Sequence, residues 1–115
     1  MVTKKFTIDR KRWLRGEGSE TSYLHRLSDG KQCCLGFYLE ACGVKRVDIV
    51  GVGSPVRLLY IPDEAKWLEV NEGEGSRPLV AANDALVLKA STRESRITNL
   101  FREHGVAVEF VGDES

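Results

Sequence analysis

Residues 31–43 read Lys31-Gln32-Cys33-Cys34-Leu35-Gly36-Phe37-Tyr38-Leu39-Glu40-Ala41-Cys42-Gly43 and hold all three cysteines of the chain, together with its densest apolar run. From Leu35 onward the apolar side chains follow the i, i+3, i+4 and i+7 spacing of a helix, and Gly43 suits the position after the last turn. Upstream, Ser28-Asp29-Gly30 indicates a turn that joins Tyr23–Leu27 to Lys31–Cys33 as a short hairpin. We therefore expect a strand that runs into a helix, with two thiols at the junction and Gly36 allowing close packing.

The composition is that of one ordinary globular domain. The chain has 115 residues, of which 42% are hydrophobic and 30% charged, so we expect a single domain over residues 1–115 with a loose tail at 112–115. A net charge of zero gives no general attraction to nucleic acid or to membranes. No apolar run reaches the roughly 18 residues of a membrane helix. The first residues lack the apolar segment of a signal peptide.

These features predict a cytoplasmic protein whose cysteines stay reduced. The sequence contains no Cys-x-x-Cys, and its two histidines are scattered. We therefore expect neither a metal site nor a cofactor.

The order of the predicted elements indicates an α+β fold. Lys4–Ile8 and Val106–Val111 alternate as strands. Helices are predicted from Pro62 to Leu68, from Pro78 to Asp84, and from a capping box at Ser91-Thr92-Arg93-Glu94 to Gly105. We expect a small antiparallel or mixed sheet, formed by the N-terminal strand, the hairpin and the C-terminal strand and covered by four to five short helices.

A basic segment follows the first strand. Asp9 suits the N-cap of a helix that runs through Arg15, with Trp13 and Leu14 among four basic residues. One interpretation is a solvated helix face with the two apolar side chains in the core. The other is a site for an anionic ligand, such as a phosphate, a nucleotide or an acidic protein, with the tryptophan available for stacking. The candidate ligand-binding residues are Arg10, Arg12, Trp13 and Arg15.

The two adjacent cysteines also permit a catalytic hypothesis. The helix dipole and free backbone N–H groups would lower the pKa of Cys34, or of Cys33, at a helix start. With His104 and either Asn83 or Asp84, Cys34 would then form a papain-like arrangement. Against this, the predicted position of His104 is a helix end, whereas a papain-like histidine lies on a strand. Cysteine is also among the most frequently buried residue types, so a structural role is preferred. The other histidine, His25, is expected to be exposed in its hairpin strand.

Four blocks and a closing amphipathic helix with Ile97 and Leu100, in the same order and over roughly residues 6 to 101, resemble a family of small uncharacterised bacteriophage and prophage proteins. The blocks are Trp13-Leu14-Arg15-Gly16, Cys33-Cys34-Leu35-Gly36-Phe37-Tyr38-Leu39, Ile61-Pro62-Asp63-Glu64-Ala65-Lys66-Trp67 and Leu79-Val80-Ala81-Ala82-Asn83-Asp84. The chain departs from the family pattern in having its third cysteine later, at Cys42, and Ala82 in place of leucine. The resemblance implies a viral or prophage origin, a host-cytoplasm setting and an accessory role, without an assigned activity.

These observations favour a non-enzymatic, phage- or prophage-encoded accessory protein. It would bind a host protein or a small anionic ligand and so interfere with host physiology or defence. The first alternative is a cysteine hydrolase using Cys34 and His104. The second is a nucleic-acid binder, which the zero net charge and the absence of a recognisable motif disfavour.

Overall fold

Strands near the two ends of the chain pair into a sheet, and the described helices lie between them in sequence. The structure is a computed structural model that describes residues 4–15, 24–26, 30–51, 61–69, 77–85 and 88–112. In chain order the elements are β1 (Lys4–Asp9), α1 (Cys34–Ala41), α2 (Arg46–Ile49), a 3-10 helix (Asp63–Glu69), α3 (Arg77–Asp84), α4 (Ala90–Arg102) and β2 (Val106–Val111). The architecture is α+β, with about as many short helices as the sequence predicts.

The two strands of the sheet are parallel, with Phe6 opposite Val108 and Ile8 opposite Phe110. The expected antiparallel or mixed sheet is therefore wrong. Alternation of apolar and polar residues fixes which face of a strand is buried, but it carries no information about strand direction. Direction depends on the connection, and here the connection includes every described helix. It is long enough to return the chain to the end of the sheet where β1 starts, as parallel pairing requires.

The described part of the expected hairpin does not join this sheet. The chain does turn back, since the backbone N–H of Arg26 donates to the carbonyl of Lys31 at 2.7 Å. However, His25 forms an isolated bridge with Val50, and Gln32 forms one with Trp13. Tyr23 and residues 27–29 lie outside the described residues.

The segment after β1 forms a turn rather than the predicted helix through Arg15. The backbone N–H of Arg12 donates to the carbonyl of Asp9 at 2.9 Å, and Oδ1 of Asp9 accepts from the N–H of Lys11 at 3.0 Å. Asp9 thus bonds the local backbone as a helix cap would, but it stabilises a turn. The chain then straightens, because Trp13 bridges Gln32.

Helix α1 begins and ends as the sequence predicts. Gly43 has a φ of 100°, and its N–H donates to Glu40 while the N–H of Val44 donates to Leu39, both at 3.0 Å. This pair of bonds is the Schellman motif that ends many helices. Within the helix, a Cβ on Gly36 would collide with the carbonyl oxygen of Leu24, so the expected close packing at this glycine is confirmed.

Aromatic rings join the sheet to the helices. Phe6 of β1 lies 5.4 Å from Tyr38 of α1 and 5.0 Å from Phe101 of α4, measured between ring centroids. Tyr38 and Phe101 are themselves 5.1 Å apart. Tilted and edge-on pairs at these separations each add about 0.5–1.5 kcal/mol beyond their buried area. This cluster fixes α1 and α4 against the same face of β1.

Helix α4 starts without the predicted capping box. Its N-cap is Lys89, and no side chain caps the first turn. Ser91 therefore lies inside the helix, and Glu94 is directed elsewhere: its carboxylate accepts two hydrogen bonds from Arg10, at 2.8 and 2.9 Å. A bidentate, charge-assisted pair of this kind is stronger than the single bond that the capping box would have offered.

Candidate functional site

Trp13 lies in the core rather than on a surface where a ligand could stack. The side chain is 3% exposed, and its indole N–H donates to Oδ1 of Asn83 at 2.7 Å. One neighbour of its ring is Phe110 of β2, at 5.1 Å between centroids. The tryptophan thus anchors the loop after β1, as the core interpretation of this segment expects.

Arg10 and Arg12 use their guanidinium groups within the protein. Arg10 binds Glu94 and also donates to the carbonyl of Gly112 at 3.1 Å. Arg12 donates to Oε1 of Gln32 at 2.9 Å and lies over the ring of Phe37. Both arginines therefore hold parts of the fold together.

The side chain of Arg15 lines a cavity. Its Nη1 donates to the carbonyls of Arg10 and Trp13, at 3.0 and 3.3 Å. Its guanidinium carbon lies 4.5 Å from the centroid of the Trp13 ring. No hydrogen bond within the described residues engages Nε or Nη2. These two nitrogens lie side by side on one edge of the guanidinium and are available to a ligand in the cavity.

The cavity at Arg15 has a volume of about 350 Å³ and is also lined by Ala90, Ser91 and Glu94 of the first turns of α4. Partial burial lowers the pKa of Arg15, an effect that the nearby Glu94 opposes. A guanidinium still stays protonated at neutral pH because its ordinary pKa lies far above neutrality. The cavity therefore places a cation and a hydroxyl group in one concave site.

Asn83 connects Cys34 to the segment around Trp13 through side-chain hydrogen bonds. Its Oδ1 accepts the N–H of Cys34 at 3.1 Å, and its Nδ2 donates to the carbonyl of Leu14 at 2.8 Å and to Oδ1 of Asp84 at 3.1 Å. With the bond from Trp13, both polar atoms of this fully buried amide are satisfied. Asn83 contacts the backbone of Cys34 rather than orienting a histidine, so its geometry is that of a structural residue.

The two thiols at the start of α1 are buried and protonated. Burial raises the pKa of Cys33 from 9.0 to about 11 and raises that of Cys34 well above its ordinary value. Backbone N–H groups at the helix start act in the opposite direction, as the sequence predicts, but loss of hydration outweighs them. Cys42 is half-buried, and burial again raises its pKa to about 11.

His104, the histidine of the catalytic hypothesis, packs against Trp67. Its ring stacks on that of Trp67, with centroids 3.9 Å apart and planes 11° apart. Within the described residues, no hydrogen bond or ring contact joins His104 to Cys34. The structure thus brings Asn83 and Asp84 to Cys34 but does not bring the histidine.

The sequence did not predict a buried polar network that joins His25 and Gln32 to Glu40 of α1. His25 is 7% exposed rather than on the surface as expected, and Gln32 is completely buried. Oε1 of Gln32 lies 3.1 Å from Nδ1 of His25, and Nε2 donates to Glu40 at 2.5 Å. The sequence feature that could have indicated this network is Gln32, a polar residue directly before the two adjacent cysteines of the apolar block.

Arg93 was also missed as a buried residue. It is 5% exposed, and its Nη1 donates to the carbonyls of Ala82 and Asn83 at 3.0 and 2.8 Å. These are carbonyls of the last turn of α3, which lack partners within their own helix. Burial lowers the pKa of Arg93, while Asp84 acts to raise it. The arginine therefore caps α3 from α4.

A groove continues from the Arg15 cavity along α4. It has a volume of about 410 Å³, and Ser91 and Glu94 belong to the walls of both. Its other lining residues come from α4 and β2 and are Ser95, Thr98, Asn99, Arg102 and Phe110. The two depressions thus form one polar face beside the C-terminal strand.

Comparisons with known proteins give this site no precedent. No family model matches the chain, and neither a curated protein nor a solved structure does. The resemblance to phage proteins stays a prediction. Among the described residues, no three His, Cys, Asp or Glu side chains are grouped so as to hold a metal ion. The described helices are too short or too polar to cross a membrane.

Proposed function

We propose that this chain is a non-catalytic binding protein that holds an anionic group of its ligand against Arg15. The observation that carries the proposal is the position of this guanidinium in the wall of a cavity. Its Nη1 is fixed by two backbone carbonyls, while Nε and Nη2 have no partner within the described residues. Two parallel N–H donors of this kind match a carboxylate or phosphate.

The surroundings of Arg15 support binding in three ways. Its position over the Trp13 ring reduces the side-chain freedom that a ligand would otherwise have to restrict. Ser91 adds a hydroxyl at the same cavity. Glu94 also lines the cavity, but its charge is offset by the bidentate pair with Arg10.

The buried thiols support binding rather than cysteine chemistry. A thiol must ionise to act as a nucleophile, and burial favours the protonated form of Cys33 and Cys34. The resemblance to phage proteins adds the biological setting of this proposal. The ligand would be a host protein or a small anionic molecule, met in the cytoplasm of the host.

Titration calorimetry with inorganic phosphate and with acetate in low-salt buffer tests the proposal. Arg15→Gln should weaken binding about ten- to hundred-fold, because it removes a charge-assisted pair of hydrogen bonds. The matched control is Arg96→Gln, which removes an exposed arginine of α4 that has no partner in the described part of the chain.

Circular dichroism on each variant separates loss of binding from loss of folding. Arg15→Lys keeps the charge but not the paired donors, so it should restore only part of the affinity. The proposal fails if neither anion binds the native protein, or if Arg15→Gln and Arg96→Gln bind equally well.

A further inference from the structure

The groove beside α4 has an arginine at each end. Arg15 lies at the end near the start of the helix, and Arg102, the last residue of α4, lies at the other. From Ser91 to Arg102 the helix rises about 16 Å. A ligand that contacts both arginines must therefore be extended.

The middle of the groove is polar and offers hydrogen-bonding groups. Ser95 and Asn99 are exposed, and Thr98 is half-buried. Within the described residues, the hydroxyls of Ser91, Ser95 and Thr98 make no hydrogen bond. Hydroxyls both donate and accept, so they can pair with the alternating N–H and C=O groups of a peptide backbone.

The charges are arranged so that only the ends attract anions. Where the two depressions meet, Glu94 lines both of them, but it already accepts two hydrogen bonds from Arg10. At the far end, the described contact of the Arg102 guanidinium is one long bond from Nη1 to Oδ1 of Asn99, at 3.4 Å. Most of its donors therefore face solvent. The complementary ligand carries negative charge at both ends and a neutral, polar body between them.

We propose that this groove binds an extended acidic segment of a partner protein, with one carboxylate on Arg15 and another on Arg102. The inference rests on the proposed function for the Arg15 end and assigns the ligand class. An extended chain advances about 3.3 Å per residue and points successive side chains to opposite faces, so the two acidic side chains, which must share one face, stand about four or six residues apart.

Two other ligand classes fit the groove less well. A sugar would use an exposed aromatic face, but Phe110 is half-buried and already faces Trp13 and the guanidinium of Arg10. A nucleic-acid strand would place a phosphate at every nucleotide, whereas the groove carries cations at its ends and a carboxylate in between. Charge complementarity therefore favours the acidic peptide.

Three fluorescein-labelled, end-capped peptides test the inference by fluorescence anisotropy in low-salt buffer. The first has a glutamate at each end of a short serine and alanine body, and the other two have glutamine in place of one or the other glutamate. The native protein should bind the first peptide about tenfold more tightly than either of the others, because a second charge-assisted contact forms.

Arg102→Gln should abolish this tenfold advantage while leaving phosphate binding at Arg15 unchanged, and Arg96→Gln should alter neither. Phosphate binding that depends on Arg15, with all three peptides bound equally, would overturn the peptide inference and leave the proposed function standing. If phosphate does not bind and Arg15→Gln has no effect on the peptides, both fail. An advantage that survives Arg102→Gln would also overturn the inference.

Discussion

The indole N–H of Trp13 donates to Oδ1 of Asn83 at 2.7 Å, across 70 residues of sequence. The same oxygen accepts the backbone N–H of Cys34, and Nδ2 donates to the carbonyl of Leu14. One buried amide thus joins the loop after β1, the first turn of α1 and the end of α3. Because Arg15 follows directly in that loop, the position of the proposed anion site depends on this amide.

Asn83→Ala should lower the free energy of unfolding by about 3–5 kcal/mol, since it leaves an indole N–H, a backbone N–H and a carbonyl buried without partners. Urea unfolding followed by circular dichroism measures the change. Asn99→Ala removes an exposed amide of α4 and should stay within about 0.5 kcal/mol of the native protein. A loss under about 1 kcal/mol for Asn83→Ala would mean that the network contributes little to stability.

Gly36→Ala should destabilise the protein by at least about 2 kcal/mol, because the new methyl group collides with backbone that cannot rotate away. The atom it meets is the carbonyl oxygen of Leu24. Gly51→Ala is the comparison, since Gly51 has a φ of 74° and open space around it. That change should cost only the left-handed backbone strain of about 1–2 kcal/mol. Equal losses in thermal unfolding would show that α1 can shift to accommodate a side chain.

Gln32 should fix the tautomer of His25. Arg12 can only donate to Oε1 of this amide, and the Glu40 carboxylate can only accept from Nε2, so the amide orientation is determined. Oε1 must then accept from His25, which requires the proton on Nδ1. Nitrogen-15 NMR of the neutral imidazole should show Nδ1 protonated, and Gln32→Met should release this preference. A proton on Nε2 in the native protein would contradict the network.

Local patterns predicted the elements of this fold better than they predicted its sheet. The spacing of Leu35, Tyr38 and Leu39 and the glycine at 43 were sufficient to predict α1, because both its face and its end are set by neighbouring residues. Strand direction was not predictable, because it depends on a connection that contains the helices.

The site was predictable only in part, and for the same reason. Four basic residues beside Trp13 indicated an anion site, but their partners are distant in sequence: Glu94 for Arg10 and Gln32 for Arg12. Arg15 is the arginine of the segment that lines the cavity at the start of α4. The sequence alone gave Arg10, Arg12 and Arg15 equal weight as ligand-binding residues. Their contacts with distant residues are what distinguish Arg15 from the other two.

The buried thiols predict that stability falls at alkaline pH. Burial raises the pKa of Cys33 from 9.0 to about 11, that of Cys42 to about 11 and that of Cys34 well above its ordinary value, so the unfolded chain loses these protons first. The unfolded state then binds fewer protons than the folded state, and stability decreases as pH rises. Between about pH 9 and pH 10 the slope should approach 1.4 kcal/mol per pH unit for each thiol. Urea unfolding at several pH values in this range measures the slope of the free energy of unfolding against pH. Cys33→Ala should reduce this slope by the contribution of one thiol, even if the substitution also lowers stability at pH 7. A free energy of unfolding that does not change between pH 8 and pH 10, or a slope unaffected by Cys33→Ala, would show that the thiols ionise as readily in the folded protein as in the unfolded chain.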